Sequence, residues 1–323
     1  MKNFFIIFFT VMMTISLSAY DLADVEDSFK SFADETVQAL PLAANMGLNW
    51  NDAYSGSFPH FGVGLTAGAV FLPSEAFEQF SSLTGESGLE DFSSLGVPLP
   101  MYSLDARLGI PLLPMDIGVK FGALNPETIP LDSISVGFQM VGIDARWAVM
   151  EGKGPLPEIS LGVGYTWLSG DIISPIDSQT VDISGTGIGA SNLVLSDSDM
   201  YYKWSSNILD FKAQVSKKLL IMNLSAGAGY SYGISEAGGG ISAATVTVDG
   251  HEITQSEISQ LEDATGVSID DGGLNVISKI NGGSFRVFGG VGFNLFVLKL
   301  DVGLLYGVTS QTMGMTTNVR IQY

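Results

Sequence analysis

The chain has 323 residues, 39 glycines, no cysteine and a formal net charge of −20. That charge excludes nucleic acid as a partner, since binding a phosphate backbone needs a basic surface. The lack of cysteine excludes disulfides and a lipid anchor on an acylated cysteine. Hydrophobic residues make up 46% of the chain and the mean hydropathy is +0.32, high for a protein that stays in water. Beyond the N-terminus, however, no run reaches the roughly 18 uninterrupted apolar residues of a membrane-spanning helix.

In chain order, Lys2 precedes the apolar run Phe4-Phe5-Ile6-Ile7-Phe8-Phe9, continued by Val11, Met12 and Met13 to the small residues Ser16, Ser18 and Ala19. Residues 1–19 read as a signal peptide cut after Ala19, which sends the protein into the periplasm. In residues 20–42, Leu22, Val25, Phe29, Phe32, Thr36 and Leu40 recur at spacings of three and four, predicting an amphipathic helix closed by Pro41. Asp24, Glu26, Asp27, Asp34 and Glu35 occupy its other face. That face is too acidic to lie on an anionic membrane, so the helix is expected to cap or enter the rest of the protein as a plug.

From residue 43 to 323 the dominant pattern is alternation of apolar and polar residues, with frequent glycine. Ten strands are expected, at 60–72, 102–110, 115–123, 133–150, 158–169, 201–216, 220–234, 284–296, 298–308 and 313–323. A further pair is expected within 43–54 and within 133–150, where the alternation changes phase near Gly142, for a total of about 10 to 14 strands. A bilayer accepts only helices or closed sheets, so an all-β, transmembrane antiparallel β-barrel is expected. A soluble sandwich would show turn signals about every 8 to 12 residues, and several runs here are longer. Short connections are read at 111–114, 151–157, 217–218 and near Val297, and long ones at 125–132, 171–200 and 235–281. Short periplasmic turns and long outer loops are the barrel habit. Residues 74–83 and 252–265 read as short loop helices outside the sheet.

Alternation directs a set of charged residues to the interior: Asp105, Arg107, Asp116, Lys120, Asp144, Arg146, Asp210, Lys212, Arg286, Lys299, Asp301 and Arg320. A midplane Arg or Lys facing hydrocarbon costs roughly 2 to 4 kcal/mol, so these residues are expected to face the lumen. There they form either a solute path of mixed polarity or structural ion pairs filling a narrow barrel. Leu104-Asp105-Ala106-Arg107 and Ile143-Asp144-Ala145-Arg146 repeat one pattern ahead of a short turn. Gly162-Val163-Gly164-Tyr165, Gly227-Ala228-Gly229-Tyr230 and Gly290-Val291-Gly292-Phe293 repeat another after it. These glycines fall on the inner face, either leaving room for the helix or easing the bend of a small barrel. Trp147, Tyr165, Trp167, Tyr230, Tyr232, Tyr306 and Tyr323 point outward near strand ends and read as interfacial girdles.

The last strand ends on Tyr323, which resembles the C-terminal aromatic that the outer-membrane assembly machinery reads. Met315, Val319, Ile321 and Tyr323 face lipid on this pattern, and Asn318, Arg320 and Gln322 face a wet interior.

Catalytic chemistry finds little footing. The two histidines, His60 and His251, belong to no Ser/His/Asp pattern, and one His with scattered carboxylates lacks metal-ligand spacing. The Gly-x-Gly sequences lie within strands with no helix N-terminus to hold a pyrophosphate. We expect no enzyme, cofactor or metal; the loop pair Asp270-Asp271 reads as solvated acid.

The stretch Leu40-Pro41-Leu42-Ala43-Ala44-Asn45-Met46-Gly47-Leu48-Asn49-Trp50, with Pro59-His60-Phe61-Gly62-Val63-Gly64 and Phe71-Leu72-Pro73-Ser74, resembles the start of an uncharacterised family of bacterial outer-membrane barrels. The resemblance covers about 40 residues. It implies a barrel with an N-terminal helix at its periplasmic mouth or in its lumen, and brings no established substrate. A plugged barrel is also similar, in architecture alone, to channels of the fatty-acid transporter type. The expectation is a monomeric outer-membrane channel or transporter for small solutes, hydrophobic ones included. The alternative is a non-conducting barrel whose long acidic loops bind a host or cell-surface partner.

Overall fold

The computed structural model describes residues 22–73, 96–124, 135–152, 154–176, 178–265, 268–270 and 273–323. The expected signal peptide and the helix expected at 74–83 lie outside them. The elements are α1 (Leu22–Ala43), β1 (Phe61–Leu72), β2 (Val97–Gly109), β3 (Met115–Leu124), β4 (Ser135–Glu151), β5 (Glu158–Ile176) and β6 (Gln179–Asp182). They continue with β7 (Asn192–Leu219), β8 (Met222–Val248), β9 (His251–Glu252), α2 (Gln255–Thr265), β10 (Ser268–Asp270), β11 (Gly273–Leu295), β12 (Leu298–Gly307) and β13 (Thr312–Gln322).

Ten of these strands form a closed ring. β1 to β5 pair in sequence, β5 pairs β7, β7 pairs β8, β8 pairs β11, and β11 to β13 lead back to β1, every pairing antiparallel. β6, β9 and β10 are short additions to β7, β8 and β11. Closure gives each of the ten strands a neighbour on both sides, although the upper parts of β2 and β11 run past the ends of β3 and β12.

Inside and outside follow the two-residue period of a strand. In β13 every second residue from Thr312 to Gln322 is buried, and those between are exposed. The outward set is apolar: Val63, Leu104, Val119, Ile143, Phe211, Val287, Leu304 and Val319 are among many left between 41% and 58% exposed. One paired row marks the upper limit of this band. Outward-facing Gln139, Ser169, Ser205, Glu236 and Lys279 are partners in turn across β4, β5, β7, β8 and β11. Below that row on β7 the outward residues Leu209, Phe211, Val215 and Leu219 are exposed and apolar. The stretch 209–219 has the length of a tilted transmembrane strand, about 9 to 11 residues. The apolar band reaches the lower rim, where Leu112, Leu220 and Phe296 stand fully exposed at turn tips with φ of 64°, 56° and 58°.

The connections at that rim, 110–114, 152–157, 220–221 and 296–297, are short. The long ones, apart from the tight link between β12 and β13, gather at the opposite end. Loop length therefore assigns the lower rim to the periplasm.

Four sequence expectations need correction. The lysines 217–218 lie within β7, and the turn falls at 220–221. The expected loops 171–200 and 235–281 are largely strand, because β5, β7, β8 and β11 run on past the polar row. Above the membrane a paired strand needs no apolar outer face, so alternation of hydropathy fades while hydrogen bonding continues. The described part of the 133–150 run, from Ser135, is one strand: its phase changes at Val136–Phe138, where three successive residues are buried, and a register shift occurs between Ala148 and Met150, not at Gly142. Finally, 43–54 contributes no strands; it is the interior content of the barrel.

Candidate functional site

Two layers fill the lumen. In the upper layer α1 lies within the ring against β1, β7, β8, β11, β12 and β13. Phe29, Phe32, Ala33, Val37 and Leu40 of α1 share one buried cluster with the inward residues Val70, Met101, Met140, Leu168, Tyr202 and Ile241 of the wall. The Phe32 and Tyr202 rings are 4.8 Å apart. Opposite this face, Lys30 and Asp34 are exposed. The helix extends to Ala43, with Pro41 inside its last turn. It descends from the long-loop end: Phe32 meets β7 at Tyr202, far from the turn at 220–221, whereas Asn45 donates to Ser231 Oγ (2.8 Å), lower on β8.

Below α1, residues 44–55 thread the lower layer without regular structure, and all but Asn49 are buried. Their backbone groups are satisfied by the wall. Lys120 Nζ donates to the Met46 carbonyl (2.8 Å) and Arg107 Nη2 to that of Leu48 (2.8 Å). Gln214 Nε2 donates to the Trp50 carbonyl (2.7 Å) and Arg146 Nη1 to that of Asp52 (2.6 Å). In the other sense, the Leu48, Asn51 and Ser55 amides donate to Asp105 (3.2 Å), Asp301 (2.9 Å) and Asp116 (3.0 Å). A buried irregular segment is tolerable only with such partners.

The inward glycines make room for it. A Cβ on Gly62 would meet the Trp50 ring at 2.8 Å, and one on Gly118 would meet Leu48 Cδ2 at 2.8 Å. A Cβ on Gly290 would collide with the Asn51 side chain.

Of the twelve inward charges named from the sequence, eleven are buried, and the Lys299 side chain is 11% exposed. They group by contact. Asp116 bridges Arg107 (2.8 Å) and Arg146 (2.7 Å), and Asp144 bridges Arg107 (2.6 Å) and Lys212 (2.9 Å). Arg286 pairs with Asp210. Asp301 pairs with Arg320. Asp105 accepts from Ser103 Oγ (2.6 Å) and from Thr66. Lys299 reaches Asp52 at 2.9 Å, and Arg320 reaches it at 3.0 Å. Low local dielectric makes such a network strong when complete and costly when broken.

Asp52, Trp50, Asn223 and Gln214 were not singled out by alternation, since two lie outside any strand and two are uncharged. One signal was available: Asp52 is the only charged residue between positions 36 and 59. His60 Nδ1 donates to the Ser57 carbonyl (2.6 Å) at the lower rim, and His251 lies 2.9 Å from Glu257 in the upper loops. Among the described residues no group of three or more His, Cys, Asp and Glu side chains is placed to hold a metal ion.

A closed antiparallel ring, apolar outside and charged within, defines a transmembrane β-barrel of the bacterial outer membrane. No family model and no curated protein matches the chain. Among solved structures it is similar to the outer membrane protease OmpT of Escherichia coli, with 9% identity, TM-score 0.41, and coverage of 82% of this chain and 97% of that one. It is similar to the translocator domain of the autotransporter NalP of Neisseria meningitidis, with 10% identity, TM-score 0.38 and coverage of 91% and 99%. A Pseudomonas aeruginosa FadL homologue matches with 8% identity, TM-score 0.29 and coverage of 82% and 90%. Superpositions this loose say nothing of activity.

Proposed function

We propose that this barrel is an outer-membrane channel or transporter for small solutes, held closed by its own N-terminal segment. The observation that carries the reading is what fills the lumen. In the lower layer a tethered segment, 44–55, lies among the inward side chains of the wall in a seat lined by glycine. Its contacts with the wall are largely hydrogen bonds and ion pairs, which water can replace if the segment leaves. An apolar core has no such substitute, so the lower layer is the part suited to opening. The activity is transport without chemical conversion.

The test is single-channel conductance in a planar bilayer, comparing residues 20–323 with chains beginning at Pro41 and at Gly56. Discrete steps that grow with truncation support the reading, with the larger increase expected at Gly56 because 44–55 would still be seated in the Pro41 chain. Silence in all three, with folding shown by heat-modifiable gel mobility, overturns it.

One observation favours a second reading, a non-conducting barrel whose outer loops bind a host or cell-surface partner. β7 and β8 have 28 and 27 residues, far more than a crossing needs, and hold a large polar wall above the apolar band. Deletion of the loops above that wall would abolish such binding and leave the barrel folded.

A further inference from the structure

Asp52 is bound by the wall as a free carboxylate ligand would be. Its Oδ2 accepts from Lys299 Nζ at 2.9 Å and Arg320 Nη2 at 3.0 Å, and its Oδ1 accepts from Asn223 Nδ2 at 2.5 Å. The three donors come from β12, β13 and β8, so the barrel wall alone assembles the set. Arg320 is held in place independently of Asp52. Arg320 is oriented by Gln322, to which its Nε donates at 2.8 Å, and by Asp301 and Asn318, to which its Nη1 donates, leaving Nη2 for the insert. Asn223 also donates to the Asn51 carbonyl at 2.9 Å.

The position is near the periplasmic mouth. Lys299 and Asn223 are each the second residue of their strand, counted from the lower turns, and Arg320 is three residues from the end of the chain. The Lys299 side chain retains 11% exposure. The charge also favours an anion. Lys299 and Arg320 face one wall carboxylate, Asp301, so without Asp52 the local balance is one positive charge.

We propose that Lys299, Arg320 and Asn223 form a carboxylate-binding site of the lumen wall, filled by the insert's Asp52 as an internal ligand and open to competition from a small carboxylate solute at the periplasmic mouth. The proposal rests on the channel reading for its role in transport, since displacement of Asp52 would release the segment. The site itself stands on its geometry. Ammonium, guanidinium and amide donors converging on both oxygens recognise a carboxylate better than a spherical anion.

The experiment is rescue of the full mature chain carrying Asp52→Ala, which removes the carboxylate and leaves space for formate. The temperature at which the barrel loses its folded gel mobility is read in formate and in chloride of equal ionic strength. Formate is expected to raise that temperature in D52A and not in the wild type, and Lys299→Gln in the D52A background is expected to weaken the formate response about tenfold or more. Equal behaviour in formate and chloride overturns the site. If D52A does not assemble, Asp52→Asn keeps the shape and removes the charge. Protease cleavage of 44–55 in reconstituted D52N must then rise over wild type, and unchanged cleavage overturns the proposal. Conductance separates the two claims: formate rescue with a silent bilayer keeps the site and discards the channel.

Discussion

The guanidinium of Arg320 lies over the indole of Trp50, 4.7 Å from the ring centroid, and that of Arg107 lies 5.6 Å from it. The ring joins the inserted segment to two strands that are not neighbours, β13 and β2. It is fully buried and sits above Gly62 of β1, where a side chain would strike it. Trp50 is thus the largest fully buried apolar side chain of a segment that also buries Met46 and Leu48 and is otherwise held by polar bonds.

Trp50→Ala should loosen the segment without unfolding the ring. Truncating a fully buried aromatic costs about 3 to 5 kcal/mol, with cation–π contacts adding to the loss. The expected result is normal heat-modifiable mobility with faster protease cleavage within 44–55 in reconstituted protein. Loss of the folded band would show instead that the ring needs the segment to form.

Gly62→Leu tests the same contact from the wall. The added side chain occupies the Trp50 ring position, so the segment should be displaced as in Trp50→Ala. Overpacking of this kind costs about 1 to 3 kcal/mol. Combining Gly62→Leu with Trp50→Ala removes the clash, and the double variant should be more stable to urea than Gly62→Leu alone. Additive destabilisation would contradict the packing described.

Asp116 is the carboxylate on which most of one cluster depends, taking Arg107, Arg146 and the Ser55 amide together. Asp116→Ala leaves two buried guanidinium groups short of a partner, and loss of one member of a buried pair costs about 3 to 5 kcal/mol. The midpoint of urea unfolding should fall markedly. An unchanged midpoint would mean that water fills the gap and the cluster contributes little.

These residues also show what a sequence of this kind discloses. Alternation in β13, from Met315 to Tyr323, is legible because lipid on one side and a wet interior on the other impose opposite demands on successive residues. The same logic places Arg107 and Arg146 inward. It fails for 44–55, where neither face meets lipid and no period develops, so the occupant of the lumen leaves only one charge, Asp52, as a trace. It fails again above the row through Ser205 and Glu236, where strands continue in water and Gly238-Gly239-Gly240 reads as loop although it is paired in β8. Inward glycine signals space, but not whether a helix or an irregular segment fills it.

The row from Gln139 to Lys279 predicts how far a charge is tolerated on the outer face. Phe211→Arg places a cation in the apolar band, where the cost is roughly 2 to 4 kcal/mol near the midplane and falls toward the interfaces. Assembly into liposomes should drop sharply. An added charge at Ser205, level with the row, should have little effect. Equal tolerance at both positions would show that the band is placed wrongly on β7.

The upper loops supply a pH prediction. α2 opens with a capping box: the Thr254 amide donates to Glu257 Oε2 at 2.9 Å, and the Glu257 amide donates to Thr254 Oγ1 at 3.4 Å. The Thr254 hydroxyl and amide, with a smaller contribution from His251, hold the Glu257 carboxyl down at about 2. A carboxylate whose folded value lies below its unfolded one stabilises the fold above the unfolded value, about 4.3, and loses that contribution as pH falls toward 2. Amide exchange in 255–265, corrected for intrinsic rate, should therefore quicken between about pH 4 and 2 while the ring strands stay protected. Glu257→Gln should remove this pH dependence, and Thr254→Ala should speed exchange at all pH values by the equivalent of about 1 kcal/mol. If the pH step survives Glu257→Gln, some other carboxylate governs the opening of α2.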